Sequence, residues 1–171
     1  AIHAREYVTA ELMTRFAEYL VAQYGTNADV TWFLDHQEVH LILQANPDGR
    51  KKAEMGLSWR KNTDSLYCAT PNQQGIDLNR NFPFLWACCG GGTPNGCSET
   101  FHGPSAASEP ETQAVRDYMV ANFPDYGDPW GTGIPKTEQF IKEVPRLGIK
   151  PTMWGLEYSY NFLESMPEVT K

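Results

Sequence analysis

The sequence has no run of about 18 apolar residues, so it holds no candidate membrane-spanning helix. It also has no basic run, and its net charge is −7, from 14 basic and 21 acidic residues. Both features argue against a nucleic-acid partner. No CxxC spacing occurs and no Cys/His pairs stand close together, which argues against a structural zinc knuckle. There is no internal repeat and no linker-like composition shift, so residues 1–171 are expected to form a single domain. No secretory leader and no initiating Met precede the first motif, and residues are expected to be missing upstream.

What is present is ordinary for a globular chain. Apolar residues make up 41% and charged residues 20%, enough for one domain with a core. Cys68, Cys88, Cys89 and Cys97 fall close together around the Gly-rich stretch "ACCGGGTPNGCSET". Two disulfides stapling a surface loop fit this cluster, and they imply an oxidising compartment. Of the three possible pairings, the one joining adjacent Cys88 and Cys89 is disfavoured, which leaves two.

From Tyr7 to about Gln23 the pattern is helical. Val8, Leu12, Phe16 and Leu20 give one apolar stripe, and Gly25 and Asn27 end it. Val39 to Leu43 is a short apolar run, as in a strand buried on both faces, and it stops at the turn signal "NPDG". Helix followed by buried strand suggests an α/β domain with a mixed, partly parallel sheet flanked by helices. Residues 46–107 are rich in Gly, Asn, Pro and Ser, yet carry cysteines and aromatics, so they are expected to be ordered and functional. Ser108 and Glu111 form a capping box for a helix running to about Asn122, with Ala114, Val115, Tyr118 and Met119 on its buried face. Lys136 to Val144 reads as a short helix ended by Pro145, and "GLEYSYNFLE" as a strand.

His3 and Glu6 stand three apart, so on a helical turn they project from one side. Imidazole and carboxylate suit Zn²⁺. Alternatively, an acidic residue in the first turn complements the helix dipole. Arg60 in "SWRKN", with Asn79 and Arg80 in "GIDLNRNF", could form an anion pocket, because guanidinium forks bind carboxylates at two points. The alternative is that the arginines are surface charges or pair with Asp77 and Asp64.

Together these blocks resemble the zinc metallocarboxypeptidases related to carboxypeptidase A. "HAREY" is similar to the family's H-x-R-E zinc motif and "NPDGR" to its turn after a core strand. "SWRKN" and "GIDLNRNFPF" resemble its substrate-carboxylate segments, and "CSETFHGPSAASEPET" its loop leading into a helix. The order and spacing agree over residues 1–123, and the Cys-rich loop is most similar to secreted microbial or fungal members. The resemblance implies a carboxypeptidase-like, incomplete α/β domain that removes C-terminal residues from peptides with one Zn²⁺. His3 and Glu6 would be two of its three protein zinc ligands. Asn79 and Arg80 would grip the peptide's C-terminal carboxylate, Arg5 would line the groove, and Arg60 would stabilise the oxyanion. A Cys68–Cys97 bond would match a disulfide of some members. A secreted monomer acting on peptide or protein C-termini is expected, with no membrane partner.

Two departures stand beside this. The family's second histidine ligand lies in an "HSYSQ"-like strand, and the chain passes from "MVANFPDY" directly to "GDPWGTGIPKTEQF". His36, His40 and His102 do not stand in that block. His102 matches a "YHG" position that is not a ligand, and His40 lies in the apolar run. In "EYSYNFLE" the counterpart of the catalytic glutamate is Leu163, one residue before Glu164. Glu164 could act as the base if a bulge re-aims it, since a one-residue shift turns a strand side chain to the other face. The alternative function is therefore an inactive or truncated homologue that binds peptide C-terminal carboxylates.

Overall fold

A computed structural model describes residues 1–88 and 90–122. Four α-helices occur there: α1 Tyr7–Gln23, α2 Ala28–His36, α3 Pro47–Glu54 and α4 Pro110–Asn122. Two short 3₁₀ turns, Pro71–Gln73 and Leu78–Arg80, interrupt the long segment between α3 and α4. The helix expected at Lys136 to Val144, the strand in "GLEYSYNFLE" and Glu164 lie outside the described residues.

The bounds of α1 are those expected from its periodicity. Its apolar stripe is not covered as expected. Only Leu20 is buried, whereas Val8 is 74% exposed and Leu12 and Phe16 are also exposed. Four-residue spacing advances roughly 40° around a helix at each step, so the stripe fans out, and among the described residues only its last member meets a covering surface. The short helix α2 was not foreseen. Its N-cap is Asn27, whose side chain accepts from the amides of Asp29 and Val30, and Asp29 sits in the first turn. Tyr24 beyond α1 then donates its hydroxyl to Asp35 of α2 at 2.8 Å.

The "NPDG" stretch is the start of α3, not a turn. Asn46 caps it by accepting from Gly49 N at 3.0 Å, and Pro47 occupies the first turn, where its missing N–H costs nothing. Gly49 is required by space, since a Cβ there would lie 2.4 Å from the Lys61 carbonyl oxygen. The same Asn46 side chain donates from Nδ2 to the carbonyls of Ile2 and Lys61, both at 3.0 Å. It thereby ties two other segments to the helix start, joining three in all.

The apolar run 39–43 forms no strand ladder among the described residues, and Ile42 is 42% exposed. A strand needs a neighbouring backbone to take its N–H and C=O groups. The first residue supplies only two such bonds next to this run: its amine donates to Leu43 O and its carbonyl accepts from Ala45 N. An isolated parallel bridge joins Thr93 and Phe101. The α4 capping box is also not formed as expected. The helix starts at Pro110, and Ser108 instead bonds Asn81 and Glu109. On α4 Thr112 is buried, Val115 and Met119 are half-buried, and Ala114 and Tyr118 are exposed, so the expected buried face is corrected by its own exposure. Tyr118 meets the His40 ring edge-on but stays 40% exposed.

The irregular segment is ordered as expected. Trp59, Ile76, Leu78, Phe82 and Phe101 are buried in it, together with Lys61, Asn62, Asp77, Asn79, Asn81 and Glu109. A Cys68–Cys97 disulfide crosses it, and Cys88 is also disulfide-bonded. This matches the pairing implied by the family resemblance and overturns the two pairings left by setting adjacent cysteines aside. Proximity in space outweighs that sequence argument, because the Cα atoms of Cys68 and Cys97 lie 4.9 Å apart.

Asn46→Ala is expected to lower stability by about 3 kcal/mol, since a cap is lost and two carbonyls lose their donor. The urea midpoint of the full chain measures this, and a loss below about 1 kcal/mol, the worth of a cap alone, would remove the three-segment role.

Candidate metal and carboxylate site

Residues 1–4 lie between two other segments. Ala45 N donates to Ala1 O at 2.9 Å on one side, and Ala4 N donates to Arg60 O at 3.0 Å on the other. This threads His3 into the interior, where it is 2% exposed, while Glu6 follows at the start of α1. His3 Nδ1 faces Glu6 Oε1 at 2.9 Å. His3 Nε2 lies 3.1 Å from Asp77 Oδ1.

Asp77 is fully buried and is the joint of the site. Its Oδ2 alone accepts from both Arg60 Nε at 3.1 Å and Arg60 Nη2 at 3.0 Å, so one carboxylate oxygen sits in the guanidinium fork. Its Oδ1 accepts from Asn79 N at 3.1 Å, which starts the Leu78–Arg80 turn. Burial alone would raise the Asp77 carboxyl. The His3 hydrogen bond and the charges of Arg60, His3 and Arg80 outweigh it and hold the group below the usual carboxylate range. Arg60 therefore pairs with Asp77, one of the two alternatives open from the sequence, and does so inside the candidate site.

The remaining candidates fall around this joint. The Asn79 side chain is buried, and its Oδ1 has no partner among the described residues. Arg80 donates from Nε to Gly91 O and from Nη1 to Asn79 O. Arg5 stands at the rim, with Nη1 3.0 Å from Glu99 Oε2 and 3.3 Å from Ser58 O. Glu164 lies outside the described residues. Sequence reasoning did not assign Asp77 a role in the site. Its signal was a carboxylate two residues before Asn79, in a segment already singled out.

His3 and Glu6 fit zinc as a donor pair. An imidazole nitrogen and a carboxylate oxygen face each other, and the other ring nitrogen is held by a carboxylate, the usual outer support of a ligating histidine. Among the described residues no group of three His, Cys, Asp or Glu side chains is placed to hold a metal ion.

A family model described as zinc carboxypeptidase matches residues 1–129. The chain belongs to the zinc carboxypeptidase family. Among its curated relatives, carboxypeptidase A5 of Homo sapiens is 36% identical over 125 residues, covering 71% of the chain and 27% of that protein. Metallocarboxypeptidase A of Trichophyton tonsurans is 37% identical over 127 residues, covering 71% of the chain and 29% of that protein. The chain therefore spans less than a third of the length of these relatives. Thrombin-activatable fibrinolysis inhibitor superposes with a TM-score of 0.63 at 34% identity, over 71% of this chain and 30% of that one. The bovine form, solved with tick carboxypeptidase inhibitor, gives 0.62 at 34% identity, over 72% and 40%. These neighbours place the chain in the α/β carboxypeptidase fold. No helix among the described residues is long and apolar enough to cross a membrane.

Asp77→Ala is expected to cost about 3–5 kcal/mol, because it leaves the buried Arg60 charge without its partner. Asp77→Asn should cost less, since an amide oxygen still accepts from Arg60. Urea midpoints of the two variants test this order, and equal midpoints would refute it.

Proposed function

We propose that residues 1–171 form a partial carboxypeptidase-like catalytic domain that takes peptide C-termini and holds one Zn²⁺. The observation that carries this is the Asp77 carboxylate, which grips His3 on one oxygen and Arg60 on the other. It joins a metal donor to an anion-stabilising guanidinium in one rigid unit. His3 Nδ1 and Glu6 would hold zinc, which when bound supplies the Lewis acid for peptide-bond hydrolysis. Asp77 only accepts, so with zinc bound the ring proton would sit on His3 Nε2, leaving Nδ1 to present its lone pair beside Glu6. Arg60, fixed by Asp77, stabilises the negative charge that develops on the scissile carbonyl oxygen. Asn79 and Arg80 receive the terminal carboxylate, and Arg5 lines the approach. Glu164 is the candidate proton acceptor.

The rest of the reading follows the family. Residues 39–43 belong to its mixed, partly parallel sheet. The Cys68–Cys97 bond supports a secreted protein, since such bonds persist in oxidising compartments. The chain acts as a monomer on peptide or protein ends. The two-donor count favours a second reading, a non-catalytic homologue that binds C-terminal carboxylates through Arg80.

Three measurements on the full chain separate these readings: zinc content, hydrolysis of an N-blocked dipeptide, and affinity for that dipeptide against its amide. About one zinc per chain with turnover supports the enzyme. Preference for the acid without zinc or turnover leaves the binding reading. In either case Arg80→Ala should reduce acid affinity by about tenfold or more while leaving the amide unchanged, as expected for loss of a charge-assisted bond. Equal binding of acid and amide by the unsubstituted chain, with no turnover, would refute both.

A further inference from the structure

The segments that carry Arg60 and Arg80 each run on into a buried asparagine, Asn62 and Asn81. Both asparagines meet at Glu109, just before α4. Asn62 Nδ2 donates to Glu109 Oε2 at 2.6 Å. The Glu109 amide donates to Asn81 Oδ1 at 3.2 Å. Ser108 closes the ring: its hydroxyl donates to Glu109 Oε1 at 2.7 Å and accepts from Asn81 Nδ2 at 2.9 Å.

Neither asparagine is adaptable. Asn62 Oδ1 accepts from Ile76 N at 2.7 Å, and Asn81 Nδ2 also donates to the carbonyls of His102 and Ser105. Glu109 itself is buried, and burial pushes its carboxyl pKa up, against the opposing effect of the Ser108 and Asn62 hydrogen bonds. Burying a carboxylate is costly, and an apolar residue could fill the same space at lower cost. What an apolar residue could not do is accept from Asn62 and from Ser108 together, and so tie Asn62 through Ser108 to the Asn81 side chain that the residue 109 amide already holds.

We propose that Glu109 is a positioning residue that sets how the Arg60 and Arg80 segments stand relative to each other. This rests on the reading of those arginines given above. The groups they are proposed to receive, a scissile carbonyl and a terminal carboxylate, lie one residue apart on the same peptide. A small change in the spacing of the two segments therefore weakens recognition of the acid, and the amide, which lacks the anionic group, loses less.

The test uses the full chain with Glu109→Gln, Glu109→Asp and Glu109→Ala. Gln keeps the length and an acceptor for Asn62. Asp keeps the charge but is too short to reach. Two readouts are taken: the Nε–H NMR signals of Arg60 and Arg80 without ligand, and the preference for an N-blocked dipeptide over its amide. Glu109→Gln should stay within about threefold of the unsubstituted chain. Glu109→Asp and Glu109→Ala should lose about tenfold in preference, the range seen when a supporting residue is removed, and should move both arginine signals. If the alanine variant does not fold, the Gln and Asp pair decides. Unmoved arginine signals in Glu109→Asp, or a loss in Glu109→Gln equal to that in Glu109→Asp, would overturn the proposal. If the unsubstituted chain shows neither acid preference nor turnover, the proposed function fails, and the arginine signals still decide the role of Glu109.

Discussion

The Asp77 carboxylate organises the described structure. A carboxylate removed from water costs several kcal/mol unless its oxygens are fully used. Here both oxygens are used, by His3 and Asn79 on one side and by the Arg60 fork on the other. Hydrogen bonds to a charged group contribute about 1.5–3 kcal/mol each, so several together can offset the burial. Its backbone is equally committed: Asp77 N donates to Phe101 O, and Asp77 O accepts from Arg80 N. The first residues, the "SWRKN" segment, the "GIDLNRN" segment and the loop before α4 all meet at this one residue.

The surrounding interior follows from the same constraint. A long segment without regular structure leaves backbone groups that no helix or ladder satisfies, and side chains must take them. Lys61 does this most plainly. Its ammonium donates to the carbonyls of Gln73, Gly96 and Ser98, and burial lowers its pKa despite the nearby carboxylates of Glu99 and Asp77. The Cys68–Cys97 bond joins the same two loops. Asn46, Asn62 and Asn81 play the equivalent part elsewhere. This explains why so many of the fully buried side chains are polar.

Legibility in the sequence varied with the range of the interaction that decided each element. The limits of α1 were readable, because periodicity and a terminal glycine are local. Helix α2 rests on an Asn27 cap that could have been found, yet Asn27 was read as the end of α1. "NPDG" carries the same residues for a turn and for a capped helix start, and only the burial of Asn46 against Ile2 and Lys61 separates them. Whether residues 39–43 pair as a strand, and which face of α4 is buried, depends on partners far along the chain, which local pattern does not contain. His3, Glu6, Arg60, Asn79 and Arg80 were legible as residues worth attention. Pairing of an arginine with Asp77 was one open alternative, but that the same carboxylate also holds His3 was not legible, because a lone aspartate in a loop has no periodic or spacing signature.

That connection makes the proposed metal end and anion end of the site interdependent. His3 and Arg60 use different oxygens of one carboxylate, so each sets the orientation available to the other. Changing the charge or position of the imidazole alters how strongly Asp77 holds the guanidinium, and the reverse holds equally. In a buried network such coupling is not screened by water, so it is strong over these distances. A chain that keeps Asp77 with both neighbours therefore retains more than two isolated motif residues. It retains the orientation between the pair proposed to hold the metal and the arginine proposed to stabilise the oxyanion, which neither motif encodes alone.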